Sequence, residues 1–375
     1  MNRIIFICRR FCPGEAWTNR LLAYAKGFAE NGMNVVILFI ISDNIRTPYE
    51  INIDGVKIVN LWEQDGWLAR LHRGFSYFIN KARIREFIED GDICFLTDAA
   101  GNYIDEIKKS RKKVKIVFES TEHPRILLKD NKKNATFLSK IRAVDGLFVI
   151  SQSLKQYYLQ NGISNDKIQV INMFVDTHRF DNIVKDQTRK YIAYCGNVSY
   201  DKDGVDVLIK SFSKFVHVHE NYTLEIYGRS FRDSIERLKK LTDTLGVKDS
   251  VVFTGMVPFE EIPQKLSNAS ILALSRPNNL QNQNGFPTKL GEYLMTGNPV
   301  VVTSVGEIPL FVKNGVNGYL ANPDSVDSFT DKLLQAVSDL DTGKNVGNEG
   351  RKLALAEFSY LSQTKVALNF INNLK

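Results

Sequence analysis

One segment restricts the folds open to this 375-residue chain more than any other: a strand, a turn and a short helix that lead into a second strand. The apolar run Ile271–Leu274 predicts the first strand. The β-branched run Val300–Val302 is typical of a strand buried on both faces of a parallel sheet. Between them, Gly285 and Pro287 predict a turn and a helix start, and Gly297 predicts the end of that helix. The segment therefore predicts an α/β fold built on a parallel sheet.

The helix in this segment points its amino terminus out of the carboxyl end of the predicted sheet. Its first backbone amides have no acceptor within the helix and favour an anion such as a phosphate. They lie near Gly285, Phe286, Thr288 and Lys289. Glu292 follows one turn later, where its carboxylate can accept hydrogen bonds from sugar hydroxyls. For this segment alone, a connecting turn beside a surface helix is the better interpretation. The rest of the chain favours a binding site instead.

A βαβ unit opens the chain. Ile4–Cys8 predicts a strand, Pro13 and Gly14 interrupt the chain before a helix over about residues 16–30, and Val35–Ile41 predicts the next strand. Loops that follow parallel strands meet at one edge of the sheet, where α/β proteins place their functional residues. Gly14 lies in the first of these loops. On local evidence, a glycine that serves only the turn explains this residue about as well as a functional glycine does.

The chain is long enough for two α/β domains, each with its own core. Tyr191–Cys195 begins a second series of apolar strands, and the polar stretch Asp181–Gln187 fits a linker before it. We expect an amino-terminal domain over residues 1–182 and a carboxyl-terminal domain over residues 183–357. The apolar residues of segment 358–375 predict a last helix that returns to pack on the first domain.

Composition excludes little and favours a protein that does not span a membrane. The net charge of +7 and pI near 9.0 permit an acidic partner, but no basic–aromatic module favours nucleic acid. Four cysteines without a paired metal-binding spacing indicate reduced, structural thiols and no metal. No apolar run approaches eighteen residues, and the one that opens the chain is too short for a signal peptide. We expect a cytoplasmic protein.

The stretch Trp62–Glu89 interleaves large aromatic residues with arginines and lysines. Such a pattern suits a helix that lies on an anionic membrane surface. A helix packed on its own sheet, with its basic residues in water, produces the same pattern more often. We therefore keep a peripheral membrane contact as the less favoured interpretation.

The helix segment resembles the donor-binding element of retaining GT-B glycosyltransferases of the family 4, group 1 type, in the branch that assembles polysaccharides. In that family two glutamates stand eight positions apart and are followed by Gly-x-Pro-Val-Val. Glu292 matches the second glutamate, and Gly297-Asn298-Pro299-Val300-Val301 follows in register. The position of the first glutamate is held by Asn284. An amide there keeps a hydrogen bond to a sugar hydroxyl but loses a charge, which indicates a different sugar, or a weakened or inactive enzyme.

The resemblance implies roles for residues in both halves of the chain. It matches Gly14 to a glycine that lets the backbone approach the donor, and His123 to a histidine that contacts the transferred sugar. Glu119 and Glu122, beside His123, are weaker candidates for acceptor binding or acid–base work.

In the second half, Lys202 matches a lysine that clamps the donor diphosphate, with Asp203 inserted before the motif glycine. Gly196-Asn197 stands where the family has Gly-Arg, so one cation is missing, and Lys289, Arg229 or Arg232 could replace it. The stretch around Met256 corresponds to the loop that reads the nucleotide base through backbone groups.

The resemblance implies two Rossmann-like domains that face each other across a cleft. It also implies transfer of a sugar, with retention, from a UDP- or GDP-sugar to a glycan or lipid-linked acceptor, without a metal or other cofactor. Assembly of a bacterial surface polysaccharide at the inner face of the plasma membrane is the corresponding role. A nucleotide-sugar 2-epimerase and a catalytically silent nucleotide-sugar-binding protein remain alternatives, and a nucleic-acid binder is a weaker third.

Overall fold

The computed structural model describes residues 3–8, 16–39, 49–53, 55–60, 81–128, 130–199, 203–230 and 232–374. The chain divides into two compact units. Unit 1 comprises Met1–Asn172 and Tyr360–Lys375, and unit 2 comprises Met173–Ser359. The change from one unit to the other thus falls after Asn172, whereas the sequence predicted it after residue 182. The residues from Met173 onward belong to unit 2.

The sheet of unit 1 contains eight strands within the described residues, in the order β3-β4-β2-β1-β5-β6-β7-β8. Neighbouring strands are parallel except for the hairpin of β3 and β4. The central strands are fully buried and apolar, as expected where helices cover both faces of a parallel sheet. These strands are β1 (Arg3–Cys8), β2 (Asn34–Phe39), β3 (Tyr49–Ile53), β4 (Val56–Asn60), β5 (Ile93–Thr97), β6 (Lys115–Ser120), β7 (Gly146–Val149) and β8 (Ile168–Val170).

The sheet of unit 2 has six described strands, and all of its neighbouring pairs are parallel. Their order is β11-β10-β9-β12-β13-β14. Counting outward from β9, the chain adds strands first on one side and then on the other. The reversal lies between β9 and β12. These strands are β9 (Tyr191–Cys195), β10 (Thr223–Tyr227), β11 (Val251–Gly255), β12 (Ile271–Leu274), β13 (Val300–Thr303) and β14 (Tyr319–Ala321).

Helices connect successive strands in both units. Besides the helical residues 81–87, the α-helices within the described residues are α1 (Ala16–Glu30), α2 (Ile104–Lys109), α3 (Pro124–Leu128), α4 (Asn131–Arg142), α5 (Gln152–Gln160), α6 (Val205–Val216), α7 (Arg232–Thr244), α8 (Ile262–Asn268), α9 (Leu280–Asn284), α10 (Thr288–Met295), α11 (Ile308–Phe311), α12 (Val326–Asp341), α13 (Val346–Leu353) and α14 (Tyr360–Asn373). None of these helices combines the length and the apolarity needed to cross a bilayer.

The last helix, α14, packs on α1 within unit 1. The Tyr360 hydroxyl donates to the Glu30 carboxylate, with 2.8 Å between the oxygens. Gly27 of α1 allows the two helices to approach closely, because a Cβ at this position would lie 2.2 Å from the Thr364 Oγ1. At the far end, the Lys115 ammonium donates to the Leu374 carbonyl over 2.6 Å. The end of the chain therefore completes the core of unit 1.

Two local features differ from the sequence prediction. The hairpin of β3 and β4 was not predicted, although the Asp54-Gly55 pair between its strands is a frequent hairpin turn. The segment between β12 and β13 holds two helices rather than one, and Pro287 precedes α10 instead of opening it. Most of the stretch Trp62–Glu89 lies outside the described residues. Residues 81–87 of that stretch are helical.

Candidate functional site

The reversal of strand order in unit 2 creates a crevice between the carboxyl ends of β9 and β12. Doubly wound sheets bind their ligands at such a position, because the loops from the two strands turn to opposite faces of the sheet. Gly196 directly follows β9, and Arg276 stands two residues after β12. The segment predicted to bind phosphate, with α9 and α10, is the connection that leaves β12.

Lys289, in the first turn of α10, forms an ion pair with the buried Asp203, and its own side chain is 20% exposed. Its ammonium nitrogen is 2.7 Å from the Asp203 Oδ2, and Asp203 is only 2% exposed. The Tyr194 hydroxyl, at the end of β9, lies 3.4 Å from the same nitrogen. The Arg276 Nε is 4.0 Å from the Asp203 Oδ1. Two cations and one carboxylate thus meet at the crevice, and their formal sum is positive.

The ionisation of this cluster follows from its burial and its charges. Burial opposes the charged form of Asp203, but Lys289, Arg276 and a hydrogen bond from Tyr194 outweigh it and lower the pKa of that carboxyl below its ordinary 3.8. Burial lowers the pKa of Lys289 from its ordinary 10.5, and Asp203 opposes that shift. The carboxylate therefore stays ionised at neutral pH and holds the lysine in place.

Gly196 leaves the space that the Lys289 side chain occupies. A Cβ at this position would lie 1.9 Å from the Lys289 Cε and 2.4 Å from its Nζ. Lys289 thus stands beside the Gly-Asn pair where the resembling family carries an arginine. The other two cations that could replace the family's arginine are at the surface. Arg229 is exposed, and Arg232 forms an exposed ion pair with Glu236. Of the three candidate cations, Lys289 is the one that the fold places beside Gly196.

We expect Gly196→Ala to displace the Lys289 side chain, because the added methyl group would occupy its place. Binding of a nucleoside diphosphate should weaken roughly tenfold, as expected when one charge-assisted hydrogen bond is lost. Titration calorimetry with UDP and GDP measures the effect. Lys289→Met should then add little to Gly196→Ala. Full additivity of the two substitutions would contradict a displacement mechanism.

The amino terminus of α10 faces the same edge of the sheet and is fixed by packing. The Tyr293 hydroxyl accepts from the Cys195 N–H over 2.7 Å, which joins α10 to the end of β9. Phe286 is buried against Phe311 and Phe358, with ring centroids 5.4 Å and 5.5 Å away. Its side chain is therefore part of the core, and only its backbone is available to a ligand. Thr288 opens the helix.

Cys195 lies beside these residues without being a nucleophile. Burial raises the pKa of its thiol to about 12, and the nearby Glu292 charge acts in the same direction. The thiol is therefore protonated at neutral pH and unreactive. No three histidine, cysteine or acidic side chains within the described ranges are arranged to hold a metal ion.

Glu292 forms an ion pair that the sequence did not indicate. Its Oε1 accepts from the Arg179 Nη1, and the Arg179 Nη2 donates to the Phe259 carbonyl over 2.8 Å. The guanidinium also covers the Phe259 ring, 3.6 Å from the centroid. Arg179 thus connects Glu292 to the loop after β11 that contains Phe259, which we call the Phe259 loop. The second carboxylate oxygen of Glu292, Oε2, is the one that can bind a ligand.

Asn284 is the last residue of the short helix α9 and is 8% exposed. Its amide nitrogen donates to the Leu280 carbonyl over 2.8 Å, within its own helix. Gly285 follows, and a Cβ there would lie 3.0 Å from the Gln281 carbonyl oxygen. A carboxylate at residue 284 would face the Leu280 carbonyl and lose this hydrogen bond, which explains why an amide fits this position.

The remaining predicted residues of unit 2 are at the surface or outside the described ranges. Asn197 is exposed, and its carbonyl accepts from the Tyr194 hydroxyl over 2.6 Å. Met256 is 72% exposed just after β11. Gly14 in unit 1 and Lys202 in unit 2 lie outside the described residues. Arg276, by contrast, was not predicted from the sequence; it lies in the Ser275-Arg276-Pro277 segment directly after β12.

His123 follows β6 in unit 1 and is 7% exposed. The Arg125 backbone N–H donates to its Nδ1 over 3.2 Å, so the proton of the neutral ring is on Nε2. Burial, together with the Arg125 charge, lowers the pKa of His123 below its ordinary 6.5. The Tyr157 ring packs 4.4 Å away between centroids. His123 is therefore a neutral hydrogen-bond donor at neutral pH.

Glu119 does not fit the acceptor-binding or acid–base role considered for it. Its Oε1 accepts from the Arg20 Nη2 over 2.9 Å and from the Tyr24 hydroxyl over 2.7 Å. Arg20 also donates to the backbone carbonyls of Ile171 and Asn172. Burial of a carboxylate requires such compensation. This network joins α1, β6 and the segment after β8, and it serves the core of unit 1.

A doubly wound parallel sheet with cations and a helix amino terminus at its switch point is an arrangement in which many α/β proteins bind phosphate-containing ligands. The comparisons match part of the chain to a family model and to named relatives. Residues 189–339 match the family model "Glycosyl transferases group 1". An uncharacterized glycosyltransferase of Methanocaldococcus jannaschii is 28% identical over 240 residues, and the lipopolysaccharide 1,6-galactosyltransferase of Salmonella typhimurium is 25% identical over 235 residues. These alignments cover 60% and 61% of this chain and 58% and 62% of those relatives.

Solved structures share the fold of the whole chain. Sucrose-phosphate synthase from Thermosynechococcus elongatus superposes with a TM-score of 0.78 at 14% identity, covering 100% of this chain and 99% of its own. HepE of Anabaena, solved with UDP and glucose, gives a TM-score of 0.76 at 15% identity and covers all of both chains. The fold is therefore GT-B. The resemblance to glycosyltransferases of the family 4, group 1 type is confirmed over residues 189–339.

Proposed function

We propose that this protein is a retaining glycosyltransferase that moves a sugar from a nucleoside diphosphate sugar to a hydroxyl of a glycan or lipid-linked acceptor. The observation that supports this proposal most strongly is the Lys289–Asp203–Arg276 cluster beside the amino terminus of α10. A departing diphosphate gains negative charge in the transition state, so donors fixed in advance at this place accelerate its departure.

The residues of unit 2 divide the work of holding the donor. Lys289 and the first amides of α10 bind the diphosphate, and Lys202 is expected to add a second positive charge. Asp203 keeps the Lys289 side chain extended toward the crevice, so that little reorganisation is needed when the leaving group departs. Glu292 accepts hydrogen bonds from the ribose hydroxyls, while Asn284 binds a hydroxyl of the transferred sugar. Backbone groups near Met256 contact the base.

His123 supplies the contribution of unit 1. With its Nδ1 occupied by the Arg125 amide, its Nε2–H donates to a hydroxyl of the transferred sugar. A neutral donor suits this task, because it orients the sugar without placing a cation beside the positive charge that develops at the anomeric carbon. Gly14 allows the backbone of its loop to approach the donor. No step requires a resident metal or organic cofactor.

The names of relatives support the classes of donor and acceptor. HepE of Anabaena was solved with UDP-glucose, and mycobacterial relatives 26% identical over 198 residues are GDP-mannose-dependent mannosyltransferases that act on a phosphatidylinositol mannoside. The Salmonella relative acts on lipopolysaccharide. We propose a UDP- or GDP-sugar donor and a role in bacterial surface polysaccharide assembly, in the cytoplasm at the inner face of the plasma membrane.

A ligand screen tests this function directly. We expect UDP or GDP and one of its sugar conjugates to raise the midpoint of thermal unfolding, because a ligand that binds only the folded state stabilises it. ADP, dTDP and inorganic pyrophosphate are the comparison ligands. Turnover is then measured as release of the nucleoside diphosphate, with and without lipid-linked oligosaccharide acceptors.

The outcomes separate the alternatives. Acceptor-dependent release of the nucleoside diphosphate with retention supports the transferase. Conversion of the donor in the absence of any acceptor would indicate the 2-epimerase instead. Binding without turnover would indicate a silent binding protein. A protein that responds to no nucleotide would contradict the assignment of Gly285–Glu292 to a donor.

A further inference from the structure

Arg179 connects three parts of unit 2 that are far apart in sequence. Its guanidinium binds the Glu292 carboxylate of α10, donates to the Phe259 carbonyl and covers the Phe259 ring. The three contacts use separate features of one side chain: one nitrogen, a second nitrogen and the planar face. Arginine is suited to this combination, since lysine has neither the fork nor the plane.

The backbone that carries Arg179 is itself well anchored. Arg179 lies in a 3-10 turn, Thr177–Phe180, that begins with the Asp176 Oδ1 accepting from the His178 N–H over 3.1 Å. The Phe180 side chain at the end of the turn is buried. Upstream, the Val175 N–H donates to the Phe358 carbonyl over 2.8 Å. The backbone at Arg179 is therefore fixed by hydrogen bonds and by the buried Phe180 side chain.

The same segment lies directly against α10. A Cβ at Gly291 would be 2.7 Å from the Met173 Sδ and 3.3 Å from the Val175 Cβ, so the helix and the segment approach as closely as a glycine permits. The neighbouring residue of the helix is Glu292. The side chains of Arg179 and Glu292 are 16% and 25% exposed, which reduces the screening of their ion pair by water.

The Phe259 loop follows β11 and includes the exposed Met256, where the base is expected. Glu292 is the residue expected at the ribose. Arg179 holds both, so a shift of the loop and a shift of the carboxylate are mechanically linked. A carboxylate has two oxygens, and the bond from Arg179 to Oε1 orients Oε2.

We infer that Arg179 is a positioning residue for the ribose: it fixes the Glu292 carboxylate against the Phe259 loop, so that this carboxylate is oriented to bind the ribose hydroxyls. This inference rests on the proposed function and names a residue through which its nucleoside site acts. In this proposal Arg179 acts on Glu292 rather than on the ligand. Its effect reaches the ribose through Glu292.

The test compares ribose and deoxyribose ligands by titration calorimetry. The probes are UDP, 2′-deoxy-UDP and 3′-deoxy-UDP, or the corresponding guanosine set if GDP is the ligand that stabilises the protein. We expect Arg179→Gln to weaken UDP binding about tenfold and to weaken deoxy-ligand binding much less, because a freely rotating Glu292 no longer favours the hydroxyls. Arg179→Lys should restore part of the preference through its charge.

A double-mutant cycle separates positioning from general damage to the fold. If Arg179 acts through Glu292, Arg179→Gln should cost little in a Glu292→Gln background. Arg189→Gln is the matched control, since Arg189 pairs with Glu225 in the same unit, and it should leave the preference for ribose unchanged. The thermal midpoint of each variant without ligand reports on folding, and Arg179→Lys supplies a second variant if Arg179→Gln does not fold.

Each outcome has a distinct meaning. Equal weakening of UDP and both deoxy ligands by Arg179→Gln would overturn the inference, as would full additivity in the cycle. If Glu292→Gln abolishes the ribose preference and Arg179→Gln leaves it intact, the inference alone fails. If Glu292→Gln itself leaves the preference intact, the ribose role in the proposed function fails and the inference fails with it.

Discussion

Lys289→Met is expected to lower kcat/KM for the nucleotide sugar roughly a hundredfold or more. Removal of one preorganised donor to a developing anion costs about 10²–10³ in rate in comparable sites. Lys289 stands in the first turn of α10, beside Gly196 and within hydrogen-bonding distance of Asp203. Steady-state kinetics measure the loss, and titration of the nucleoside diphosphate shows how much of it is lost binding.

Stability must be separated from catalysis in this variant, because Lys289→Met leaves the buried Asp203 without its closest cation. Removal of one partner of a buried ion pair costs about 3–5 kcal/mol of unfolding free energy. Asp203→Asn in the same chain removes the unpaired charge, so the double variant should recover most of the stability and none of the activity. Lys352→Met, on an exposed lysine of α13, should change neither. Recovery of activity together with stability would show that Lys289 is only structural.

His123→Ala should lower kcat about a hundredfold, and the wild-type protein should lose activity in acid through the same residue. The pKa of His123 is lowered below 6.5, so the ring is neutral above that pH. Activity should therefore be constant from pH 8 to about 6.5 and should fall only as the pH drops further, when the ring gains a proton. The pH profile of kcat/KM measures this limb.

His123→Asn is the informative comparison. Its amide can donate a hydrogen bond but does not titrate, so the variant should retain part of the activity and lose the acid limb. Protonation also opposes folding: because the folded pKa lies below the unfolded value, stability contributed by the neutral ring is lost as the pH falls below 6.5. An acid limb that persists in His123→Asn would assign it to another group.

Local patterns account for what the sequence predicted correctly. The apolar runs at β1, β9, β12 and β13 are buried strands, and the turn at Gly285–Pro287 does precede a helix. These features depend on the alternation and conformational limits of neighbouring residues, which are visible in the order of the amino acids. The GT-B fold could be predicted because the motif spacing around Glu292 resembles a known family.

Only the tertiary structure decided which charges meet. Lys289 and Asp203 are 86 residues apart, and Arg179 and Glu292 are 113 residues apart. Both pairs lie on segments that come together through the strand order and through the close packing at Gly291. An exposed lysine and a partly buried, ion-paired lysine look alike in a sequence, because burial depends on the whole fold. Sequence therefore determined the sheets and the helix at the crevice, and the folding of distant segments onto them determined which side chains stand there.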